Sequence, residues 1–300
     1  MIAKHDSSVI ILYVVVLLGW SFMSVASAAG FEKKFRKQVA EFLDSLDAEE
    51  QKECLLPLEH ENRWQMLYPG AKRPGILIKK LNGLQKKKME AALRMVLSDH
   101  GWEMANKVAA QDEAQGLDKY YLTCFGDPRE DGGFAFRLAE HHLTIVQLEV
   151  SKGETMEFGP VLLGSNPADL WQADEEALMH AWKQIKHPGV LIKDKAGVAS
   201  KPMPENEGVL FSKLDAKAQV ALKAAWNQRM SVFQPAIKQR VNGLLKERGG
   251  WDKFRVAYYK GAADKRCIDG GRWDFKCGLP GMVWDFEGSR GHIHMSVWVK

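Results

Sequence analysis

Gly75-Ile76-Leu77-Ile78-Lys79-Lys80-Leu81-Asn82 and Gly208-Val209-Leu210-Phe211-Ser212-Lys213-Leu214-Asp215 follow one pattern. A glycine is followed by three apolar residues, a polar step, Lys-Leu and a helix-capping Asn or Asp. Each copy leads into a helical run, Gln85 to Leu97 in one case and Ala216 to Trp226 in the other. Each later reaches paired tyrosines, Tyr120-Tyr121 and Tyr258-Tyr259, then a Gly-rich turn and a strand with two histidines, His141-His142 or His292-x-His294. Because the spacing drifts between the copies, two readings stand: two pseudo-equivalent halves, or a chance likeness between short helix starts.

Outward from these segments, residues 31–117 read as helical. Phe35, Val39, Phe42, Leu43 and Leu46 recur at helical spacing, Asp47 caps a helix from Ala48, and Met89, Leu93, Val96 and Leu97 share one face. The stretch from Arg63 to Gly75 interrupts with Pro69, Gly70 and Pro74. Strands follow at Tyr120–Phe125, Phe134–Leu138 and His142–Val150, separated by Gly126-Asp127-Pro128 and Asp131-Gly132-Gly133. Helix returns from Asp174 to Ile185. Near the end of the chain Val283, Asp285 and Glu287 alternate with Met282, Trp284 and Phe286. The expected fold is α+β: an antiparallel sheet covered by helices, as two pseudo-equivalent halves if the repeat is real.

The front end bears on destination. Lys4 and His5 precede an apolar run from Val9 to Met23, and Ala26 and Ala28 stand at −3 and −1 of a peptidase site, the makeup of a cleavable signal peptide over residues 1–28. An uncleaved anchor is the alternative, but the run is short of the ~20 apolar residues a span needs. The expectation is an exported, periplasmic or secreted protein with no membrane span after cleavage. The rest divides into a first α+β half at 29–192, a connecting loop at 193–207 and a second half at 208–300, packed as one unit. Net charge is only +4, and runs such as Lys86-Lys87-Lys88 lack interleaved aromatics, so they read as solvated helix faces and not as a nucleic-acid track. The spacing of Cys267 and Cys277 is one that a hairpin disulfide can bridge, while no Cys pair has metal-thiolate spacing.

Chemistry concentrates in the histidines. Side chains at i and i+2 of a strand share a face, so His292 and His294 project together, and one of His141 and His142 can join them. Three imidazoles with an open position are a recurrent catalytic metal set, for zinc, copper or iron. Asp285 or Glu287 would add an oxygen ligand, orient a histidine or act in catalysis. The bland reading is packing or exposed histidines. Arg63, Tyr68, Arg73, Tyr121 and Arg137 are candidates for holding an anionic or planar substrate, small molecule or peptide, against a structural role in tying down a Pro-rich loop. Nucleophile-elbow, P-loop, dinucleotide and H-E-x-x-H patterns are missing, and Gly164-Ser165 reads as a turn.

These residues resemble a bacterial family known as domain of unknown function 3500. The likeness rests on five pieces in order: Arg63-Trp64 through Tyr68-Pro69-Gly70 to Arg73-Pro74-Gly75; Tyr120-Tyr121 to Phe125-Gly126 and Pro128; His141-His142-Leu143-Thr144; Gly164-Ser165-Asn166-Pro167; and His292 to Trp298. Glu140 stands where the family's pattern has Gly, and Trp298-Val299-Lys300 where it ends Trp-Arg-Asp; an acidic residue before the last His pair is matched by Asp285. The resemblance implies family membership and exported character, and no activity. Three functions follow from the residues: a metal-dependent enzyme, hydrolytic with zinc or oxidative with copper or iron; a non-catalytic envelope binding protein for a metal ion or small anion; or a structural envelope protein whose histidines pack.

Overall fold

Helix starts are set by side chains that satisfy the first free backbone N–H groups. Asp47 and Asn82 each form a capping box, with Glu50 and Gln85 reaching back to the cap N–H. In the computed structural model, which describes residues 30–66, 73–112, 114–149, 156–193, 201–259 and 263–300, seven helices pack on one sheet. They are α1 (30–43), α2 (Ala48–Cys54), α3 (Gly83–Val96), α4 (Asp99–Asp112), α5 (Gln172–Gln184), α6 (Ala216–Arg229) and α7 (Pro235–Glu247). The proposed signal peptide at 1–28 and Tyr68 lie outside the described residues. No helix among the described residues is long and apolar enough to cross a membrane.

Twelve strands form a mixed, mostly antiparallel sheet, and the fold is α+β. The first six are β1 (Leu55–Leu56), β2 (Ile76–Leu77), β3 (Tyr121–Phe125), β4 (Phe134–Ala139), β5 (Leu143–Glu149) and β6 (Phe158–Ser165). The other six are β7 (Leu191–Ile192), β8 (Val209–Leu210), β9 (Arg255–Tyr259), β10 (Arg272–Leu279), β11 (Met282–Ser289) and β12 (His292–Val299). Their order, β1-β3-β4-β5-β6-β12-β11-β10-β9-β7, is the same outward from the centre on both sides. β1 and β7 lie parallel to β3 and β9, while β2 and β8 pair antiparallel with the same two strands. The centre is the β6–β12 pair, where Val161 faces Val297. Element order therefore runs twice about a pseudo-twofold axis near these two valines.

Register gives residue correspondences that spacing could not. Ile76 pairs with Leu122 and Val209 with Val256, so Gly75 matches Gly208 and Tyr121 matches Arg255. Both glycines have positive φ, 114° and 66°, and a Cβ there would strike the carbonyl oxygens of Leu122 and Val256. The two tyrosine pairs do not correspond: Tyr258 matches Cys124, since each pairs with the first residue of its parallel edge strand. β7, near the end of residues 29–192, is hydrogen-bonded to β9 in the other half.

One face of the sheet packs under the helices. Leu122, Phe136, Ile145, Val161, Met295, Trp284, Phe275 and Tyr258 join Phe35, Phe42, Leu93 and Trp226 in the main core. The opposite face carries Phe125, Val146, Leu148, Val283 and Trp298 beneath Leu56, Leu58, Trp64 and Met66. His292, His294 and Ser296 fall on that second face, alternating with Ile293, Met295 and Val297. All four cysteines are buried free thiols. Cys267 and Cys277, whose spacing permits a bridge, are not joined. Cys267 Sγ lies where a Cβ of Gly288 would sit, and Gly288 pairs with Trp273, four residues and roughly 13 Å along β10 from Cys277.

Candidate metal centre

β6 lies between β5 and β12, and this adjacency builds the site. Leu143 pairs with Leu163, and Gly164 pairs with His294, so the turn before β5 and the start of β12 meet over the end of β6. His142 is locked there by its carbonyl, which accepts from Gly164 N at 2.7 Å. Gly164 has to be a glycine. An added Cβ would lie 2.8 Å from His294 Cδ2, 2.9 Å from His142 Cδ2 and 2.6 Å from the Ile293 oxygen. The Gly164 carbonyl accepts from Trp171 Nε1 at 2.7 Å, which fixes the floor beneath the rings.

His141, His142, His292 and His294 each direct one ring nitrogen into a common space, with those atoms within 4.8 Å of one another. His142 Nε2 and His292 Nε2 are 2.7 Å apart. His142 Nδ1 is hydrogen-bonded to Asp112 Oδ1, and the Tyr120 hydroxyl donates to Asp112 Oδ2 at 2.8 Å. That carboxylate holds the His142 proton on Nδ1 and leaves the Nε2 lone pair facing the shared space. His294 Nε2 and His141 Nδ1 are buried without a protein partner. Buried nitrogens without partners are costly unless something absent from the protein atoms engages them.

Electrostatics favour the neutral form of His141, His292 and His294. Burial, followed by the neighbouring imidazoles, lowers His294 to about 3. Burial and His142 lower His141 to about 4, with a further contribution from Arg73. Burial also lowers His292. The burial that would raise Asp112 is outweighed by its bonds from His142 and Tyr120, so it stays below its usual value and ionised. Neutral imidazoles backed by a carboxylate are the protonation states a cation requires, and the cluster could hold a metal ion.

The other candidates sit as follows. Glu287 is the cross-strand partner of His294 and shares its face, outside the four-histidine cluster. Asp285 is one step further from the site and accepts from Ser296 N at 2.9 Å and Ser296 Oγ at 2.5 Å, with Lys276 Nζ 3.8 Å away. Arg137 donates to the Asn62 and Gln65 carbonyls at 2.5 and 2.8 Å, and the Arg63 guanidinium lies 3.9 Å over the Trp64 ring. Both hold the segment that crosses the second face. Arg73 is paired with Glu140 at 2.9 Å, next to His141, and half-buried Tyr121 opens β3. Asp112 is the functional residue that the sequence reading lacked; thirty residues separate it from His142, and only the packing of the end of α4 brings them together.

Residues 30–190 match the family described as "Protein of unknown function (DUF3500)", and the chain belongs to that family. The match contains His141, His142 and Asp112 and ends before His292 and His294. Neither the curated proteins nor the solved structures include a match to this chain.

Proposed function

We propose that this chain is an exported metal protein in which His141, His142, His292 and His294 hold one transition-metal ion, and that the ion is catalytic. The reading is carried by one observation: four imidazole nitrogens from separate parts of the chain face one space, with Asp112 fixing the tautomer of His142. Tetrahedral Zn–N bonds of about 2.0–2.1 Å place nitrogens ~3.3 Å apart. The 2.7 Å His142–His292 pair and the wider pairs reach that spacing with shifts of roughly 1 Å. An all-imidazole set suits zinc, copper or iron. His141 and His292 are only half-buried, which leaves one side of the centre open to water and substrate. A bound ion would supply Lewis acidity and an activated water if it is zinc, or redox chemistry if it is copper or iron.

A second reading rests on the count of four nitrogens, which can saturate a tetrahedral ion and leave a carrier without catalysis. Elemental analysis of the purified protein after zinc, copper and iron titration tests both. One equivalent in the wild type and none in His292→Ala or His294→Ala is expected; less than about 0.1 equivalent of any metal ends both readings. Azide added to Co(II)-loaded protein then separates enzyme from carrier, because only an open coordination position changes the visible spectrum.

A further inference from the structure

The pseudo-twofold gives the histidine cluster a counterpart position. Ala139 pairs with Thr144 and Gly278 with Val283, so the turn Glu140-His141-His142-Leu143 corresponds to Leu279-Pro280-Gly281-Met282. Two residues before Ala139 and Gly278, Arg137 corresponds to Lys276, and both are buried. Each donates across the second face to the segment covering it: Arg137 to the carbonyls of Asn62 and Gln65, and Lys276 Nζ to that of Lys201 at 2.8 Å. The scaffold is thus shared, while the chemistry at the turn is not. Where one half carries two imidazoles, the other has proline and glycine.

A cavity of about 520 Å³ opens at this second turn, in the size range of small-molecule sites. Met203, Leu210, Pro280, Met282 and Val283 make its walls mostly apolar. Its charged lining is mostly positive, with Lys253, Arg255 and Lys276 against Glu205. Half-buried Arg255 lines the cavity and donates through Nε and Nη2 to the carbonyls of Glu207 and Gly208 at 2.7 and 2.8 Å, which orients two of its five N–H groups without neutralising its charge. Lys253 is exposed at the same cavity, and Glu205, the lining acid, is exposed as well. Lys276 beneath has Asp285 3.8 Å away, so the surplus positive charge comes from Arg255 and Lys253. Apolar walls favour a hydrocarbon tail, and cations at the mouth favour an anionic head through charge-assisted hydrogen bonds.

We infer that this cavity is a second binding site, built on the counterpart of the histidine turn, for a single-chain amphiphile with a carboxylate head. The inference is independent of metal binding. Isothermal titration of the full chain with dodecanoate tests it, with dodecanol and dodecyltrimethylammonium as neutral and cationic controls, the ionic ligands below their micelle concentrations and dodecanol below its solubility limit. Saturable one-to-one binding of dodecanoate in the micromolar range is expected, at least tenfold tighter than either control. Lys253→Glu should weaken it about tenfold and Met203→Asp further. Both positions are partly or fully exposed, so both variants should keep the wild-type circular dichroism and metal uptake. The inference is overturned by the absence of saturable dodecanoate binding, by equal binding of a control, or by folded variants that bind as the wild type does.

Discussion

Replacing Gly164 with alanine puts the four-histidine arrangement under direct mechanical test. The new methyl would sit 2.8 Å from His294 Cδ2 and 2.9 Å from His142 Cδ2, against an ordinary contact of at least 3.4 Å. Relief requires His294 to move by about 0.6 Å and His142 by about 0.5 Å, by subtraction from that contact. The methyl therefore occupies the space through which both rings adjust when they close on an ion, where final metal–nitrogen distances tolerate only about 0.2 Å. The Ile293 carbonyl, 2.6 Å from the methyl, also strains the β6–β12 pairing. Overpacking of this kind costs about 1–3 kcal/mol of stability. Zinc affinity should fall at least tenfold, about 1.4 kcal/mol. Competition against a chromophoric chelator reads the affinity, and thermal unfolding of the metal-free protein reads the stability separately. A folded Gly164→Ala protein that binds zinc as tightly as the wild type would refute the reasoning, because the rings over Gly164 would then not be the ligands.

Three further outcomes are expected. Asp112→Asn removes the carboxylate that orients His142 and should lower zinc affinity 10–100-fold by the same competition assay; unchanged affinity would remove Asp112 from the site. Stability of the metal-free protein should fall on acidification. His141 and His294 titrate near 4 and 3 when folded and at about 6.5 when unfolded, so the unfolded chain binds more protons between those values. Their contribution is intact above about pH 6.5 and erodes from there down to pH 3–4, by an order of 2–4 kcal/mol after discounting half-buried His141; urea midpoints at pH 7 and pH 5 measure it, and equal midpoints would contradict it. Arg137→Ala loses two charged hydrogen bonds to the 62–65 carbonyls and should cost about 3 kcal/mol with faster proteolysis near residue 62. Wild-type cleavage rates would show that the clamp is not needed.

Local rules reached a good part of this molecule. The caps at Asp47 and Asn82, the alternation of β11 and the shared face of His292 and His294 depend on residues a few positions apart, and such short-range preferences are written in adjacent side chains. β6 escaped because Gly159 and Pro160 argue against a central strand; the sheet accepts them where the register between Val297 and Val299 shifts. With β6 unread, Gly164-Ser165 looked like a turn and the link between the two histidine pairs was invisible. Register also redrew the repeat. His141 and His142 correspond to Pro280 and Gly281, so the four histidines come from non-equivalent places in the two halves.

From the chain of residues alone come the α+β class, the helix starts after Asp47 and Asn82, the family and the two histidine pairs. Tertiary structure decided that these pairs share a centre, that Asp112 stands behind His142, and that the counterpart turn opens on an apolar cavity. The physical reason is that strand order and register are settled by burying two sheet faces at once. This couples side chains 150 residues apart, and no local propensity carries that information.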